Sequence, residues 1–489
     1  MPRLQFVFQF LHPSWAVLVF FVGVIIGDIF ILIFDFTFQF ALFWLLIAIF
    51  AVLVAVFCPC LATLPLAFAA GILLIQFRAM PELASRHHLR HFYGKNIIIS
   101  GIISADPGTN ESGTAIKLGN LKVRSTPLAG TILVKLPRQA KLARADNLIL
   151  EGQFRPSSGS YFGSISRPRI LKTYRPSPRN PLLTLRDHFA TNIRKFIPAP
   201  AVDLGLGYLL GMRSGLPSDL DDSLRVVGLT HIIVASGTHL SILIGFVRQI
   251  FGRLSRFASL FFSLLFIGSF FVMIGPTPSI LRASLVSAFS LLAWFVGRKF
   301  QPLRIIILVA ALTILINPFL PLSLGWLLSL AAFSGILLLN PILVRFFYGT
   351  SSPGVLGSTF LATVSAGLFC NPITLFYFGS FSFLSFIANL LILPTISYTI
   401  ALIFLTGFCS FIPPLAQLIA IASTFLLNFH ISVVRFLGAK TSFLLQIEPG
   451  NPLVFLSFLP VVGIYLCSLW YNLRHENKVA TQDSTYDLI

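Results

Sequence analysis

The segment Gly228-Leu-Thr-His231-Ile-Ile-Val-Ala-Ser236-Gly-Thr-His239-Leu-Ser-Ile-Leu243 lies in the middle of the chain, inside an uncharged stretch between Arg225 and Arg248. At about 1.5 Å per helical residue, this stretch is long enough to cross a hydrocarbon core of roughly 30 Å. Its histidines, hydroxyl groups and glycines are costly in lipid and usually face a protein interior or a water-filled path. The segment therefore predicts a membrane element with a functional polar face.

The composition of the whole chain also indicates a membrane protein. Of 489 residues, 56% are hydrophobic and 10% are charged, whereas soluble proteins carry about 25% charged residues. This excludes an ordinary soluble fold. With the central segment, apolar stretches predict a mainly α, polytopic bundle of about twelve transmembrane helices. The other stretches are 15–34, 38–57, 61–77, 257–274, 279–296, 305–316, 322–344, 355–378, 383–408, 415–434 and 453–471.

One quarter of the chain is strongly basic and departs from this pattern. Residues 78–200 contain 20 Lys and Arg against 6 Asp and Glu. Short β-branched or alternating runs are separated there by Pro, Gly, Asn and Asp, which predicts five strands. They are 97–104, 115–124, 131–136, 147–154 and 161–171. Five such strands predict a small inserted barrel like the OB-fold, which often binds single-stranded nucleic acid or oligosaccharide.

The barrel segment contains candidate nucleic-acid contacts. Tyr161 lies near Arg155, Arg167 and Arg169 in the sequence, and single-strand binders combine stacking aromatics with basic side chains. The aromatics Phe154, Tyr161 and Phe162 are also consistent with a barrel core, which is the simpler interpretation. The basic surface itself is consistent with a polyanion partner or with a merely solvated face.

A helix is predicted after the barrel. Leu182, Leu185, Phe189, Ile193 and Phe196 recur at helical spacing, with Arg186 among the polar residues around the axis. This pattern predicts an amphipathic helix on the membrane surface. The acids after Ser218 then predict a helix start, and we expect that helix to contain the central segment.

The central segment allows three interpretations. Ser236 and His239 are three residues apart and share a helix face, so an intramembrane Ser-His hydrolase is one of them. Gly237 and the small residues around it favour close helix packing along a polar path. His231 and His239 are also consistent with hydrogen-bonded core histidines.

Three further polar residues lie in apolar segments. Arg282 follows the helix-start signal Pro276-Thr-Pro278, where its guanidinium either reaches the interface or contacts phosphate at a pore mouth. Asn389 precedes Pro394, and Asn371 precedes Pro372; prolines at such depth predict broken or kinked helices that line a cavity. No phosphate-binding loop and no metal-ligand cluster is recognisable, so we expect no cofactor, no metal and no enzymatic activity.

Several motifs resemble the ComEC family, the DNA-internalisation channels of bacterial competence. They are Gly211-Met-Arg213-Ser-Gly215, Gly228-Leu-Thr-His231, Ser236-Gly237-Thr-His239, Pro278-Ser-Ile-Leu-Arg282-Ala, Gly325-Trp-Leu-Leu-Ser329 and Tyr377-Phe-Gly379-Ser-Phe-Ser382. The motifs occur in order over roughly residues 15–473. Many family members continue into a metallo-β-lactamase-like domain, and this sequence stops before one, so we expect a channel without its own nuclease.

The resemblance implies import of single-stranded DNA through the bacterial cytoplasmic membrane, with His231, Ser236, Gly237, His239, Arg282 and Asn389 along the path. It also implies an outer DNA receptor and a cytoplasmic helicase as partners, with a separate nuclease if one is needed. A homodimer is left open. A secondary transporter of a smaller polyanion is the rival function, and the hydrolase is a third.

The sequence predicts five regions and an orientation. The regions are N-terminal transmembrane helices (1–80), a basic OB-like domain (81–180), a surface helix and connector (181–216), a competence-type channel domain (217–473) and a polar tail (474–489). Basic residues between the apolar segments place both termini in the cytoplasm and the β domain outside.

Overall fold

The computed structural model describes residues 14–34 and 59–463, apart from short gaps at 111–112, 124–125, 138–141, 158, 177–179, 213–214, 234–236, 299–300, 350, 440–443 and 461–462. The predicted segment 38–57, the tail and most of the segment 453–471 lie outside the described residues. So do Arg213, Ser236 and the side chain of His239.

The first half of the described chain contains two long helices, a β domain and a short helix. The helices are α1 (Ser14–Phe34), α2 (Pro59–Arg90) and α3 (Pro181–Arg194). The strands are β1 (Asn96–Ile103), β2 (Gly108–Asn110), β3 (Gly113–Val123), β4 (Thr126–Leu128), β5 (Ile132–Leu136), β6 (Asn147–Arg155), β7 (Ser164–Ser166) and β8 (Arg169–Tyr174).

The second half is helical, with one small sheet. Its helices are α4 (Ala201–Leu210), α5 (Ser218–Val226), α6 (Thr230–Ile233), α7 (Gly237–Phe251), α8 (Arg256–Ile274), α9 (Pro278–Phe295), α10 (Pro302–Ile316), α11 (Leu324–Ser334), α12 (Asn340–Tyr348), α13 (Val355–Phe378), α14 (Leu384–Phe408) and α15 (Pro413–Gly438). Strands β9 (Ser380–Ser382) and β10 (Leu444–Gln446) pair antiparallel.

The helices confirm a polytopic membrane protein. Within the described residues, 8 helices are long and apolar enough to cross a bilayer, counting α11 and α12 as one through the π-helical turn Gly335–Leu339. Shorter apolar helices include α4 and α10. Pro372 and Pro394 both lie inside continuous helices, α13 and α14.

The β domain is a closed five-stranded barrel. Its strands pair in the order β1-β3-β5-β7-β6, and β6 pairs back to β1. The β5–β7 pairing is parallel, and the other barrel pairings are antiparallel. This Greek-key closure is the topology of an OB-fold, which confirms the sequence prediction. Strand β8 pairs antiparallel with β6 along the edge opposite β1.

The barrel core settles one question that the sequence left open. Phe154 and Phe162 are buried among the aliphatic side chains of the strands, and Tyr93 stacks on Phe154 with ring centroids 5.5 Å apart. These two phenylalanines are therefore core residues and not stacking platforms. Tyr161 is only partly buried.

The central segment is not one helix, so the prediction of a continuous helix from Ser218 is wrong. Helix α5 ends at Val226, and Gly228 follows with a φ of 77°. This left-handed conformation ends a helix and is easily adopted only by glycine. The chain then forms the short α6 and restarts at Gly237 as α7.

The helix predicted near residues 182–196 is present as α3, and its placement on the membrane surface stays a prediction. The buried residues are Leu183, Arg186, Ala190 and Ile193, whereas Leu185 is 56% exposed. Arg186 turns inward because it finds carboxylate partners there, which helical periodicity does not reveal.

The chain divides into two compact units. The first contains residues 1–218, 231–327 and 398–428, and the second contains residues 219–230, 328–397 and 429–489. The barrel, α3, α4 and α7 to α10 belong to the first unit. Helices α5, α12 and α13 belong to the second.

We predict that Gly163→Ala destabilises the barrel. A Cβ atom at Gly163 would overlap the ring of Phe154, and overpacking of a core costs typically about 1–3 kcal/mol. At Gly108, which serves as the control, the nearest atom is the Ala115 carbonyl oxygen at 3.9 Å. Thermal unfolding of the full chain in detergent should show a lower midpoint for Gly163→Ala only. Equal midpoints would contradict this packing.

Candidate functional site

Three of the motif segments meet in the first unit. A Cβ atom at Gly237, the first residue of α7, would lie 3.3 Å from Ala283 Cβ and 3.8 Å from Arg282 Nη2. Gly237 therefore allows the start of α7 to pack closely on the first turns of α9. A larger side chain at this position would occupy the space beside the Arg282 guanidinium.

The start of α9 is built by local sequence signals. Pro278 occupies the first turn, and the Thr277 side chain accepts a hydrogen bond from the Ile280 N–H at 3.4 Å. Proline at this position and a threonine cap are both favoured at helix starts. They place Arg282, which is partly buried, about one turn into the helix.

The third motif segment approaches the same helix start. A Cβ atom at Gly325, in the first turn of α11, would lie 3.9 Å from Pro278 Cγ. The neighbouring Trp326 is buried, and its indole N–H donates to Thr313 Oγ1 of α10 at 2.9 Å. The starts of α7, α9 and α11 thus surround one region, which we call the motif junction: residues 237, 278–283 and 325.

The barrel is fixed to the helix end that precedes the motif junction. The Met273 carbonyl, in the last turn of α8, accepts hydrogen bonds from Arg144 Nη1 at 3.0 Å and from Arg186 Nη1 at 3.3 Å. Arg144 belongs to the loop before β6, and Arg186 belongs to α3. Barrel, α3 and α8 therefore share one hydrogen-bonded contact.

Arg186 is an almost completely buried cation. It is 2% exposed, and its guanidinium binds both Asp106 carboxylate oxygens, at 2.6 Å and 3.1 Å. Asp187 also accepts from it, at 3.0 Å. Burial by itself lowers the pKa of Arg186, but the hydrogen bonds and charge of Asp106 and Asp187 raise it above its ordinary value. The arginine stays charged and holds the three elements together.

The rim of the barrel contacts a second segment near the motif junction. The β6–β7 loop contains Gly159, where a Cβ atom would lie 3.2 Å from the Leu322 carbonyl oxygen. In the same loop, Phe162 packs edge-on against Phe319 with centroids 4.9 Å apart. Phe319 and Leu322 lie on the short connection from α10 to α11. The barrel thus rests on the segment that leads into Gly325.

Tyr161, in the same loop, faces a basic strand. Lys117 Nζ of β3 lies 5.6 Å from the Tyr161 ring centroid, and Lys135 is exposed on the neighbouring β5. The β3–β5 surface and the β6–β7 loop together are the usual nucleic-acid face of an OB-fold. Lys117 and Lys135 were not among the residues predicted from the sequence, although the exposed positions of a strand are recognisable by alternation.

The three predicted arginines occupy different places. Arg167 is exposed beside this face, and its backbone N–H donates to the Lys135 carbonyl at 2.8 Å. Arg155 is exposed, and its guanidinium donates to Gln153 Oε1 at 2.8 Å. Arg169 lies on β8, where it pairs in register with Glu151. Only Arg167 therefore adds charge to the surface around Tyr161 and Lys117.

Two motif glycines in the connector after α3 have structural roles. Gly211 ends α4 with a φ of 69°. A Cβ atom at Gly215 would overlap the carboxylate of Asp203, which is buried and accepts from Arg194 Nη1 at 2.7 Å. The glycines allow the connector to fold tightly around this ion pair.

Three of the other predicted residues, Gly228, Ser329 and Asn389, belong to the second unit. Gly228 packs on α14, where its Cβ atom would lie 3.3 Å from Ser385 Cβ. Asn389, one turn further along α14, is 8% exposed, and its Oδ1 has no hydrogen-bond partner among the described residues. Ser329 is buried on α11. His231 is exposed on α6 in the first unit. In the described part of the chain, no group of three or more His, Cys, Asp or Glu is arranged for a metal.

Fold and site together define a class: a multi-pass helical membrane protein with an inserted OB barrel seated on its motif-bearing helix ends. The family model described as competence protein matches residues 208–474, which is more than half of the chain. The chain belongs to this competence protein family, the ComEC family.

A curated relative agrees with this assignment. The chain is 27% identical over 221 residues to ComE operon protein 3 of Bacillus subtilis (strain 168). The match covers 45% of this chain and 28% of the relative, so it spans well under half of the relative's length. No solved structure matches the chain significantly.

We predict that Arg186→Ala lowers stability by roughly 3 kcal/mol, because it removes the charged hydrogen bonds that the buried guanidinium makes to Asp106 and to the Met273 carbonyl. The control is Arg225→Ala, which removes a half-exposed pair with Asp221 one turn away on α5 and should cost about 1 kcal/mol or less. Thermal unfolding of both variants in detergent measures the difference. Similar losses would show that Arg186 is not the central contact.

Proposed function

We propose that this protein is a channel through which single-stranded DNA crosses the bacterial cytoplasmic membrane during natural transformation. One observation carries the proposal: the OB barrel, with Tyr161 beside Lys117 of its β3–β5 face, is fixed to the end of α8, just before the motif-bearing start of α9, and contacts the segment that leads into Gly325. Membership of the competence family supports a role in DNA uptake.

The first step is electrostatic capture by the barrel. Residues 78–200 carry 20 Lys and Arg against 6 Asp and Glu, and basic surfaces bind nucleic acid by releasing its counterions. Stacking on Tyr161 would hold a base of the strand beside Lys117, as OB domains do. We propose that the barrel lies on the outer side and both termini in the cytoplasm, so that captured DNA is delivered inward.

The second step takes place at the motif junction. Arg282 is a planar, permanently charged donor suited to phosphate oxygens. Gly237 leaves space beside its guanidinium. We propose that Arg282 binds the backbone of the strand as it enters the bundle, and that His231, Ser236, His239 and Asn389 line or support the path.

In this proposal the channel itself makes and breaks no covalent bond. The driving force comes from a cytoplasmic helicase, the DNA comes from an outer receptor, and any nuclease is a separate protein. If the protein were instead a secondary transporter of a smaller polyanion, import of long DNA would not depend on it. Deletion of the protein would then leave DNA import unchanged.

We predict that Arg282→Gln reduces transformation about tenfold or more, because one charged hydrogen-bond donor to phosphate is worth roughly 1.5–3 kcal/mol. Arg282→Lys should retain an intermediate activity, since lysine keeps the charge and loses the planar fork. The assay measures import of labelled DNA and transformation frequency in a deletion strain complemented with each variant, at equal membrane abundance.

The matched control is Arg298→Gln, which removes an exposed arginine after α9 and should leave import unchanged. If the deletion strain imports DNA normally, the channel proposal fails and a small-solute transporter becomes the better explanation. If deletion abolishes import and Arg282→Gln does not reduce it, the channel stands and Arg282 is not in its path.

We predict that Tyr161→Ala weakens binding of single-stranded DNA by the full chain in detergent about fivefold or more, because base stacking on an aromatic contributes about 1–3 kcal/mol. Tyr161→Phe keeps the ring and should bind as wild type does. Fluorescence anisotropy with a labelled oligothymidylate measures both. Unchanged binding by Tyr161→Ala would remove this residue from the DNA surface.

A further inference from the structure

A second concave surface lies on the barrel, away from the β3–β5 face. It is a groove of about 710 Å³ that runs across the strands β4, β3, β1, β6 and β8. These five strands are neighbours in that order through their backbone pairing. At about 4.8 Å between neighbouring strands, the groove is roughly 19 Å long.

The strand register shows which side chains line this groove and which lie at its edge; Lys172 lies at the edge, beside the lining residue Tyr174. One row of paired residues crosses all five strands, and a second row lies beside it. The first row is Pro127, Lys122, Ser100, Ile149 and Lys172, and the second includes Ile102, Asn147 and Tyr174. In the first row, Lys122 lies on one side of Ser100 and Ile149, and Lys172 lies on the other side.

The groove lies where the pairing of β1 with β3 is irregular. Between the pairs Ser100–Lys122 and Ile102–Gly119, β3 has one more residue than β1, and such a bulge bends its strand. Gly101 lies opposite the bulge, where a Cβ atom would come within 3.0 Å of the Gly119 carbonyl oxygen. The bent β3 and the small residues Ser100 and Gly101 leave the centre of the groove open.

The chemistry of the groove matches a single nucleic-acid strand. Its lining includes Lys122, two asparagines and Tyr174, and contains no acidic residue. Tyr174 is 46% exposed, and Lys172 Nζ lies 4.6 Å from its ring centroid. An accessible ring beside ammonium groups is the combination with which single-strand binders hold bases and phosphates. The acid closest in register, Glu151, pairs with Arg169.

We propose that this groove is a second binding site for single-stranded nucleic acid, with phosphates at Lys122 and Lys172 and a base stacked on Tyr174. The proposal rests on the proposed function for the identity of the strand as DNA. It assigns a separate surface from the one formed by Tyr161 and Lys117.

Strand β3 connects the two surfaces. Along β3 the exposed positions alternate up to Lys117, and the alternation then shifts so that Lys122 is also exposed. Asn120 lies at the shift with a φ of 48°. The two lysines are five residues apart, at most roughly 17 Å along the strand. One bound strand can therefore follow β3 from the groove to the Tyr161 face.

The test uses the full chain in detergent and a labelled oligothymidylate of about 16 nucleotides, the upper site size of an OB domain. Anisotropy gives the Kd at several salt concentrations. The groove variants are Lys122→Gln with Lys172→Gln, Tyr174→Ala, and Tyr174→Phe as the conservative change. The charge-matched control is Lys95→Gln with Lys195→Gln, two exposed lysines that neither line the groove nor belong to the two rows of paired residues.

We expect the paired groove substitution to reduce the salt slope of log K by about 1.4, since each phosphate contact contributes about 0.7 for single strands. Tyr174→Ala should raise the Kd about fivefold or more, and Tyr174→Phe should restore it. The paired control should leave the slope nearly unchanged.

Four outcomes would overturn the proposal. If the groove variants bind as wild type does while Tyr161→Ala binds weakly, the groove is not a DNA site and the proposed function stands. If the control pair reduces the slope equally, the binding is diffuse. If an uncharged chito-oligosaccharide displaces DNA from wild type but not from the Tyr174→Ala variant, the groove is a glycan site. If the wild-type chain binds no oligonucleotide, the proposed function fails as well.

Discussion

The buried guanidinium of Arg186 joins three parts of the first unit that are far apart in the sequence. It binds Asp106 of the barrel and the Met273 carbonyl of α8, while its own helix, α3, follows the barrel in the chain. A buried cation is tolerated only where carboxylates and carbonyls satisfy it. The position of the barrel over the motif-bearing helix ends therefore depends on this one set of contacts, together with the packing of Phe162 on Phe319.

Glycines allow the close approaches around which the helices are arranged. At Gly71 on α2, a Cβ atom would overlap the Phe20 carbonyl of α1, and at Gly335 it would overlap the Ser365 carbonyl of α13. Between apolar helices in lipid, association relies on such close van der Waals packing because the lipid tails are as apolar as the helices. Gly237 applies the same principle at the motif junction, where it leaves space beside the Arg282 guanidinium. The family motifs thus combine residues that set the packing with residues that carry charge.

The barrel contributes a basic, water-exposed surface that the apolar helices lack. Its core is aliphatic and aromatic, so its basic residues are left on the outside of the strands. A bulge in β3 changes which of its side chains face outward, and it places Lys117 and Lys122 on two different surfaces. Both surfaces combine lysine with an accessible tyrosine, which suits a flexible polyanion with flat bases.

The sequence by itself determined the fold class, because hydropathy and alternation are local properties: long apolar runs require helices in lipid, and five short alternating strands bounded by turn residues require a small barrel. It also identified Tyr161, Gly237 and Arg282 as candidates. Only the tertiary structure decided that Arg186 is buried, since its partner Asp106 is 80 residues away. Likewise, Gly228 breaks the central helix through its left-handed conformation and its packing on Ser385. The groove with Lys122 and Tyr174 arises from strand register across five strands. Such long-range contacts depend on which surfaces meet after folding, and no local pattern in the chain encodes them.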